Sequence, residues 1–543
     1  MCVGFFCQTV IAGISRALYA NPCSPSLNIS FLMPTRPDLL VIILDTMRRD
    51  HLSLYGHSVP TSPALDSFAD RAVIYDRAIS PAQWTIPAHA SMFTGVYPTT
   101  HDVTEADRVL PAELPTAAEL LHSAGYHTVG FCNNPLVGVL NHGLIRGFDT
   151  FYNYAGAAVN RPFERHHSPP VDRFVREWRT FARSVGNQFA QREWLFRVSL
   201  HPLFTPVWTR LINYKGSSRN SVDDLIGYLQ KHRAGGSTRP PLFAFLNLMG
   251  THLPYRPPQD VLDEIAPDLS RAQYRFVAGF NADAARWASP VEEPLEDWQT
   301  AALETFYDAE IRAQDHALHR LFDYLRASRA LNDTMVIVTA DHGEGHGDHG
   351  YFGHSFVVNH ELTHVPLVVR HPDDSRKGMR TAEVVSTRRV FHTLLDGAGV
   401  DLPGNRATIR PADLSLLNPN AVDGPVFSEA FPPQAFLAVL RHRAPQLIHA
   451  LCLTQVRRGI VNGDLKLTTL ADAPEALYDV HADPAETRDL RAEQPTAVAE
   501  LLSQLNSSVW NAARARSDLH ALAEQAALTP AMMDSLRALG YIE

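Results

Sequence analysis

The chain has 543 residues, of which 45% are hydrophobic and 20% are charged, and its formal net charge at pH 7 is −10. This composition argues against a disordered or membrane-embedded chain, and the negative charge argues against a nucleic-acid-binding protein. The length predicts a large core and two domains, and the charge still allows a small anionic substrate because a metal ion can dominate the local field.

Residues 1–35 are predicted to be an N-terminal extension. Its apolar stretch, Val3 to Ile14, lacks the basic segment that precedes the core of a signal peptide. We expect translation to start at Met33, so that most of the extension would not be translated. That start favours a cytoplasmic location and leaves a periplasmic or secreted one open. No apolar run reaches the roughly 18 residues that cross a bilayer.

The rest of the chain alternates between strand and helix patterns. Continuous apolar runs, typical of strands buried on both faces, lie at Leu39–Leu44, His127–Cys132, Leu242–Leu248, Met335–Ala340 and Val365–Val369. Helical patterns intervene at Leu114–Ser123 and Leu303–Arg326. The alternation predicts an α/β fold with a large mixed, mostly parallel sheet flanked by helices.

The predicted domains are a large one over residues 36–415 and a smaller α+β one over residues 416–543. Residues 152–240 differ from the rest of the large domain because they are rich in aromatic and basic residues and have little strand pattern. We interpret them as a helical insert packed on the core. The alternative is a lid that selects the substrate or touches a membrane surface.

The stretch QWTIPAHASMFTGVYP, residues 83–98, is predicted to deliver one hydroxyl group to the start of a short helix. Pro87 suits a first helical turn, Ala88–Thr94 continues it, and Gly95 suits its C-terminal cap. Thr85 would then precede free backbone N–H groups at the positive end of the helix dipole, where anions bind. An ordinary N-cap threonine is the alternative interpretation.

Acidic and histidine side chains follow three of the predicted strands. Asp45 ends the first run, His252 lies just past Leu242–Leu248, and Asp341 and His342 end the fourth run. In open parallel sheets, sites form beyond the carboxyl ends of strands. Two carboxylates and an imidazole suit a divalent cation and slightly favour Zn²⁺ or Mn²⁺ over Ca²⁺ or Mg²⁺. For any one of these aspartates, a turn-forming role is the alternative.

The segment TADHGEGHGDHGYFGHS around Asp341 is predicted to be a loop, because each interior glycine would cost a helix about 1 kcal/mol. Its glycines allow a tight approach to a ligand. Further histidines follow at His346, His349, His354, His360 and His364. Several of them could ligate a second metal ion, but loop spacing fixes no geometry. The favoured alternative is one metal ion plus one histidine that contacts the substrate.

Five stretches occur in the order typical of one enzyme family: LLVIILDTMRRDHLSLYGH, WTIPAHASMFTGVYPTTH, FLNLMGTHLPYRPP, VIVTADHGEGHGDHGYFGHS and ALYDVHADPAETRDL. With them, residues 36–490 resemble the sulfatase family of the alkaline phosphatase superfamily. The resemblance implies a large α/β domain and a smaller C-terminal domain with a short antiparallel sheet. It also implies a metal-dependent hydrolase of anionic esters.

The resemblance also implies roles for individual residues. Asp45, Asp341 and His342 match the family's metal ligands, and Thr85 matches its nucleophile. His252 and His354 match residues that usually contact the sulfate or phosphate oxygens.

Three positions depart from the family pattern. Sulfatases carry a cysteine or serine that is oxidised to formylglycine, with an arginine four residues later, where this chain has Thr85 and His89. The usual second aspartate after the first strand is Thr46. Oxidised threonine would be a ketone, which hydrates far less readily than an aldehyde. The gem-diol on which sulfatase chemistry depends is therefore not expected.

We expect one divalent ion bound by Asp45, Thr85, Asp341 and His342, and hydrolysis of phosphate or phosphonate esters. The expected catalytic residues are Thr85, His89, His252 and His354. The alternatives are an arylsulfatase-like sulfuric ester hydrolase, a non-catalytic binding protein, and a phosphotransferase that acts on a lipid-linked substrate. No nucleic-acid partner and no transmembrane segment are expected, and the sequence does not indicate an oligomeric state.

Overall fold

The computed structural model describes residues 36–518, apart from residues 106–107, 139–141, 156–158, 160, 163–214, 284–285, 287–289, 291–292, 374–375, 404–408 and 422. The predicted N-terminal extension and most of the predicted insert lie outside the described residues. The described residues belong to one compact unit that begins at Arg36. The domain boundary near residue 415 stays a prediction.

Two sheets and one short hairpin contain the described strands. In chain order they are β1 (Asp38–Leu44), β2 (Val73–Ile79), β3 (His127–Cys132), β4 (Thr150–Asn153), β5 (Leu242–Leu248), β6 (Thr334–Thr339), β7 (Gly345–His346), β8 (Phe352–Gly353), β9 (His364–Arg370), β10 (Met379–Ser386), β11 (Val426–Ala430), β12 (Arg457–Asn462), β13 (Leu465–Leu470) and β14 (Ala473–Asp479). The large sheet has eight strands in the order β10-β2-β9-β6-β1-β5-β3-β4.

The large sheet is mixed and mostly parallel, as predicted. β9 runs antiparallel to its neighbours β2 and β6, whereas all other neighbouring pairs in this sheet are parallel. β1 lies between β5 and β6, and all seven of its residues are buried. Its unbroken apolar run therefore reflects burial on both faces. The carboxyl ends of β1, β3, β5 and β6 consequently meet at one edge of the sheet.

The described α-helices are α1 (Pro63–Ala69), α2 (Thr85–Thr94), α3 (Pro98–His101), α4 (Ala117–Ser123), α5 (Pro135–Gly138), α6 (Ser218–Arg233), α7 (Gln259–Ile265), α8 (Arg271–Ala282), α9 (Asp297–Ala327), α10 (His360–Thr363), α11 (Arg389–Ala398), α12 (Pro411–Leu414), α13 (Gln434–Arg443), α14 (Pro445–Ala450) and α15 (Pro495–Asp518). Short 3₁₀ helices lie at Ser53–Tyr55, Gly236–Thr238, Ala330–Asn332 and Asp348–Gly350. Among the described helices, none combines the length and apolar character of a membrane span.

The long helix α9 packs an apolar stripe against the sheet and against α1. The predicted stripe residues Leu318, Leu321, Phe322 and Leu325 are buried, and the ring of Phe322 stacks on Phe68 of α1 at 4.2 Å. The helix begins six residues before the predicted Leu303. The reason is a capping box in which Glu296 and Gln299 satisfy backbone N–H groups of the first turn.

The C-terminal part forms a separate antiparallel sheet in the order β11-β12-β13-β14. Helix α15 covers it, with Leu501 and Leu505 in one apolar cluster with Ile460, Leu467 and Leu477. This is the short antiparallel sheet that the family resemblance implies. The large parallel sheet is the element that positions the candidate site.

Candidate active site

Two carboxylates and one imidazole meet at the carboxyl edge of the large sheet. Asp45 directly follows β1, while Asp341 and His342 follow the neighbouring strand β6. One ligand atom from each residue lies within 4.8 Å of the other two, and all three side chains are fully buried. The strand-end prediction therefore brings together residues that are almost 300 positions apart in the chain.

The Asp45 carboxylate receives only neutral amide donors. The Nδ2 atoms of Asn134 and Asn247 donate to its Oδ2 at 2.7 and 3.2 Å. Its other oxygen, Oδ1, is buried and accepts no hydrogen bond from the described residues. Burial, and then repulsion from Asp341, raise the pKa of Asp45 to about 7. Within the described part of the chain, no lysine or arginine pairs with this carboxylate.

The Asp341 carboxylate is held by backbone donors. Its Oδ1 accepts from the backbone N–H groups of Thr46 at 3.2 Å and of His342 at 2.9 Å. Its Oδ2 lies 3.3 Å from His342 Nε2. Burial raises the pKa of Asp341 to about 7 against the effect of these bonds. Asp45 and Asp341 are adjacent, buried and have raised pKa values, so a positively charged group between them would stabilise their ionised forms.

His342 presents one ring nitrogen to the cluster. Its Nδ1 lies 2.8 Å from the backbone carbonyl of Gly343, so that Nδ1 carries the proton and Nε2 keeps its lone pair. Burial lowers the pKa of His342 to about 4. Gly343 allows a close backbone approach, because a Cβ atom there would lie 1.9 Å from the carbonyl oxygen of Glu361. Gly343 therefore serves backbone packing, and the predicted approach of the loop glycines to a ligand stays a prediction.

Thr85 places its hydroxyl group against this cluster. Its Oγ1 lies 3.3 Å from His342 Nε2 and 3.4 Å from Asn134 Nδ2. Helix α2 begins at Thr85 itself, whereas the prediction placed Thr85 just ahead of a first turn that contains Pro87, and extended Trp84 takes the N-cap position without a side-chain capping bond. The alternative of an N-cap threonine is therefore wrong. Gly95 ends the helix in the left-handed conformation, with φ 74°, which confirms the predicted cap.

His89 lies one turn into α2 and is fully buried. Its Nδ1 is 2.9 Å from the Thr85 carbonyl and 3.5 Å from Asp341 Oδ2, and Asn247 Nδ2 is 3.4 Å from its Nε2. Burial lowers the pKa of His89 to about 3. The imidazole is therefore neutral, and the positive charge of an arginine is absent at this position.

His252 and His354 form a second layer of imidazoles beside the cluster. Their ring centroids are 5.1 Å apart, and those of His354 and His342 are 4.5 Å apart. His252 Nδ1 is 2.7 Å from the Leu253 carbonyl, and His354 Nδ1 is 2.8 Å from Glu344 Oε1. Burial lowers the pKa of both histidines to about 3. Both predicted substrate-contacting residues therefore lie beside the Asp45 cluster with Nδ1 already bonded within the protein.

The remaining loop histidines belong to other groups within the described part of the chain. His346 groups with His51 and Glu304, and His349 groups with Glu361 and Glu486. His360 lies beside His364, with ring centroids 4.8 Å apart.

Comparisons with known proteins show the family of the chain. The model of the family described as Sulfatase matches residues 37–400, which is more than half of the chain. The chain belongs to the sulfatase family. It is 22% identical to an arylsulfatase of Clostridium perfringens over 410 residues, which cover 70% of this chain and 78% of the relative. It is 20% identical to an N-acetylglucosamine-6-O-sulfatase of Bacteroides thetaiotaomicron, with 92% and 89% of the two chains covered.

A solved structure of similar fold is the phosphonate monoester hydrolase of Agrobacterium radiobacter. The TM-score is 0.60 at 20% sequence identity, and the match covers 91% of this chain and 98% of that one. These sulfatase-family relatives are hydrolases of sulfate or phosphonate esters by name. Ester hydrolysis is therefore supported for this chain, and the kind of ester is not.

The divalent metal ion that the sulfatase family suggests fits the residues present. Asp45 offers an oxygen without a hydrogen bond, His342 offers the lone pair of Nε2, and Asp341 offers its Oδ2 beside that nitrogen. A cation would relieve the repulsion that raises the pKa of Asp45. Thr46 stands in place of the usual second aspartate, and its hydroxyl donates to the Asp45 carbonyl at 2.7 Å.

Three polar residues of the site were not predicted from the sequence. Asn134 lies two residues past β3, Asn247 lies within the apolar strand β5, and Glu344 lies two residues after His342. The sequence did contain a signal for Asn134, because this residue follows β3 and the carboxyl end of β3 lies at the same edge of the sheet as Asp45. Asn247 could have been noticed as a lone amide in an apolar run. The bond of Glu344 to His354 depends on how the loop folds back.

Proposed function

We propose that the protein hydrolyses phosphate or phosphonate esters, with Thr85 as the nucleophile. The position of the Thr85 hydroxyl carries this proposal, because it lies at the first residue of α2, 3.3 Å from His342 Nε2. The hydroxyl caps no helix and is fully buried beside two carboxylates. A hydroxyl group held in this way suits the role of an activated nucleophile.

One divalent ion would be held by Asp45, Asp341, His342 and the Thr85 hydroxyl. Such an ion would lower the pKa of that hydroxyl, as bound metals lower the pKa of water from 15.7 towards about 7. The imidazole in the ligand set slightly favours Zn²⁺ or Mn²⁺, and Ca²⁺ or Mg²⁺ are the alternatives.

The covalent chemistry proceeds in two displacements at phosphorus. Thr85 Oγ1 attacks phosphorus in line with the ester oxygen, and the proton of Oγ1 ends on that ester oxygen, which leaves as the alcohol. Water then attacks the phosphothreonine at phosphorus, so that the bond to Oγ1 breaks and the hydroxyl is restored. Negative charge on the remaining oxygens is stabilised by the N-terminus of α2 and by His252 and His354. Because the Nδ1 of each imidazole is bonded within the protein, each donates to the anion only from a protonated Nε2, so the bound anion has to raise the pKa of both histidines from about 3.

His89 acts on the nucleophile through its hydrogen bonds. It lies between the Thr85 carbonyl, Asp341 and Asn247, and therefore positions the first turn of α2 against the carboxylates. Because it is neutral, it adds no positive charge to a bound anion.

The choice of phosphorus over sulfur follows from the nucleophile. A sulfothreonine intermediate would break down slowly, because an unmodified threonine lacks the second hydroxyl with which a gem-diol expels sulfate. The phosphonate monoester hydrolase of similar fold is a precedent for phosphorus chemistry in this architecture. The competing candidate is sulfuric ester hydrolysis, which the names of the two sequence relatives favour. The phosphotransferase alternative depends on residues 152–240, which lie mostly outside the described residues, and stays a prediction.

Steady-state assays distinguish the two candidates. The full-length protein, loaded with Zn²⁺ or Mn²⁺ in turn, would be assayed on aryl phosphate monoesters, aryl phosphate diesters, aryl phosphonates and aryl sulfates. We expect kcat/KM to be larger for at least one phosphorus ester than for the sulfate. Rapid quenching should also show a phosphorylated peptide that contains Thr85. Efficient turnover of the aryl sulfate with only weak turnover of every phosphorus ester would overturn the proposal.

A further inference from the structure

We propose that the protein binds a second divalent transition-metal ion, such as Zn²⁺, through His51, Glu304 and His346. One ligand atom from each of these residues lies within 4.8 Å of the other two. None of the three belongs to the Asp45 cluster. His51 lies in the segment after β1, Glu304 lies on α9, and His346 ends the short strand β7.

His346 supplies a buried ring nitrogen that has no hydrogen-bond partner among the described residues. The residue is 2% exposed, and its Nε2 lies 2.9 Å from the hydroxyl group of Tyr255, which leaves Nδ1 unpaired. A ligating histidine usually donates its other ring N–H to an oxygen of the protein, which fixes the tautomer. With the proton on Nε2 facing Tyr255, the lone pair of Nδ1 is available to a metal ion.

His51 is oriented in the same way by a carboxylate. Its Nδ1 lies 2.7 Å from Asp308 Oδ1, and the other oxygen of Asp308 lies 2.9 Å from His57 Nε2. A proton on Nδ1 that faces Asp308 leaves the lone pair of His51 Nε2 for a metal ion. The ring of His51 stands edge-on to that of His346, with centroids 5.7 Å apart. Two imidazoles are therefore fixed next to each other by separate outer partners.

Glu304 completes the ligand set from α9. It precedes Asp308 by one helical turn, so that both carboxylates lie on the same face of the helix. The charged groups acting on Glu304 include the carboxylates of Asp308 and Asp348 and the guanidinium group of Arg48. Arg48 pairs with Asp50 and Asp348 at 2.8 Å, and Asp308 is bonded to His51 and His57, so the negative charge that an ion would meet comes from Glu304. Glu304 is half-buried, which gives an ion a route from solvent.

The same region contains a second set of three neighbouring ligand atoms, from His51, His57 and Asp308. These atoms already satisfy each other through the bonds of 2.7 and 2.9 Å. The set with His346 contains the unpaired nitrogen, so the ion is assigned there. Two imidazoles and one carboxylate form a donor set that suits Zn²⁺, with a fourth position left for water.

An ion at this position would connect the loop after β1, which begins at Asp45, to helix α9. The hydroxyl group of Tyr307 donates to the Thr46 carbonyl at 2.6 Å, and Thr46 directly follows Asp45. The ring of Tyr307 contacts His51 and His346, with centroids 5.1 and 4.8 Å away. The ion would therefore hold together the loop after β1, the strand β7 and helix α9, which is a structural role.

The test is the zinc content of the full-length protein and its variants. Each protein would be stripped with a chelator, equilibrated with a fixed free concentration of Zn²⁺ and analysed by elemental mass spectrometry. We expect the wild type to hold one more ion per chain than Glu304→Gln or His346→Gln. Asp323→Asn, a change at a residue with a 49%-exposed side chain on the same helix, should keep the wild-type content. Equal zinc content in the wild type and both ligand variants would overturn the proposal.

A further variant separates this ion from one bound at the Asp45 cluster. Asp341→Asn should lose any ion bound there and keep the ion at His51, whereas Asp341→Asn combined with Glu304→Gln should lose both. If Asp341→Asn alone removes all zinc, only the Asp45 cluster binds the ion and the second site does not exist. The thermal midpoint gives an independent readout, since Zn²⁺ should raise it further in Asp341→Asn than in the combined variant.

Discussion

The Asp45 cluster (Asp45, Asp341 and His342) and the His51 cluster (His51, His57, Glu304, Asp308 and His346) both consist of carboxylates and imidazoles, but their electrostatic states differ. In the Asp45 cluster, burial and repulsion raise the pKa of Asp45, and its partners are neutral amides. In the His51 cluster, hydrogen bonds from His51 and His57 outweigh burial and lower the pKa of Asp308. The first cluster therefore lacks positive charge, while the second has already paired its central carboxylate.

The difference follows from the elements that carry the residues. The Asp45 cluster is made from the ends of adjacent parallel strands, where side chains converge but cannot rearrange. The His51 cluster is made from a loop, a hairpin strand and a long helix, and its carboxylate Asp308 is bonded to two imidazoles, while Nδ1 of His346 has no partner among the described residues. We infer that the first cluster is built for reactivity and the second for stability, since perturbed pKa values concentrate at reactive sites. Changes in the two clusters should therefore affect different measurements.

The largest expected effect is on activity, from Thr85→Ala. This variant should fold, because Thr85 is not the N-cap of α2, and its kcat should fall roughly a thousandfold or more, as on removal of a catalytic nucleophile. Thr85→Ser keeps the hydroxyl group and should retain measurable turnover by the same route. Steady-state kinetics at equal metal content provide the measurement. An alanine variant within about tenfold of the wild type would remove Thr85 from the mechanism.

A smaller effect on the same cluster is expected from Asn134→Ala. Asn134 donates to Asp45 at 2.7 Å and to Thr85 at 3.4 Å, so its loss should weaken metal affinity or activity by about 10- to 100-fold. Asn133→Ala is the matched control. Asn133 is equally buried, but its side chain bonds to Lys215 and Ser221. If both alanine variants bind metal as tightly as the wild type, the amide does not support the cluster.

In the His51 cluster we expect a loss of stability, from Asp308→Asn. The carboxylate lies between two imidazoles at 2.7 and 2.9 Å, and hydrogen bonds to charged groups contribute about 1.5–3 kcal/mol. The free energy of unfolding, measured by denaturant titration in the presence of a chelator, should fall by about that amount. An unchanged free energy would mean that His51 and His57 gain nothing from the charge of Asp308.

The smallest effect is expected on the solvent side of α9. Asp323 pairs with His319 and Arg326 at the surface, with a side chain 49% exposed. Asp323→Asn should change the free energy of unfolding by less than about 0.5 kcal/mol, because exposed ion pairs contribute little. The same denaturant titration is the measurement. A loss as large as that of Asp308→Asn would show that the long helix is sensitive along its whole length, and the comparison between the clusters would fail.

The fold was predictable from the sequence wherever a strand is buried on both faces. The apolar runs of β3 and β5 match the predicted strands residue for residue, and that of β1 differs by one residue. β2 and β10 were not predicted, because Asp76 and Arg77 interrupt the first and the second is largely solvent-accessible. β9 was predicted as a strand, but its antiparallel direction has no local signal.

The candidate site was predictable to the extent that it depends on strand ends. Asp45, Asp341 and His342 each follow a buried strand, and parallel strands must bring their carboxyl ends to one edge. The inclusion of Thr85 in α2 was missed, because proline is tolerated anywhere in the first turn, where backbone N–H groups have no partner, and so Pro87 does not fix the first residue of the helix. The imidazole-to-carboxylate bond of His354 and Glu344 was not predictable, since it forms across a hairpin.

The local sequence pattern was enough to predict those strands of the large sheet that are buried on both faces, and the residues that follow them, because burial on two faces leaves a continuous apolar run. The sequence also shows a threonine, Thr85, where the sulfatase pattern has a cysteine or serine. Which polar groups became partners depended on the tertiary fold. Asn134 reaches Asp45 from 89 positions away, and His51 meets Asp308 across 257. Such pairings depend on strand order and helix placement, which local patterns of hydrophobicity do not encode.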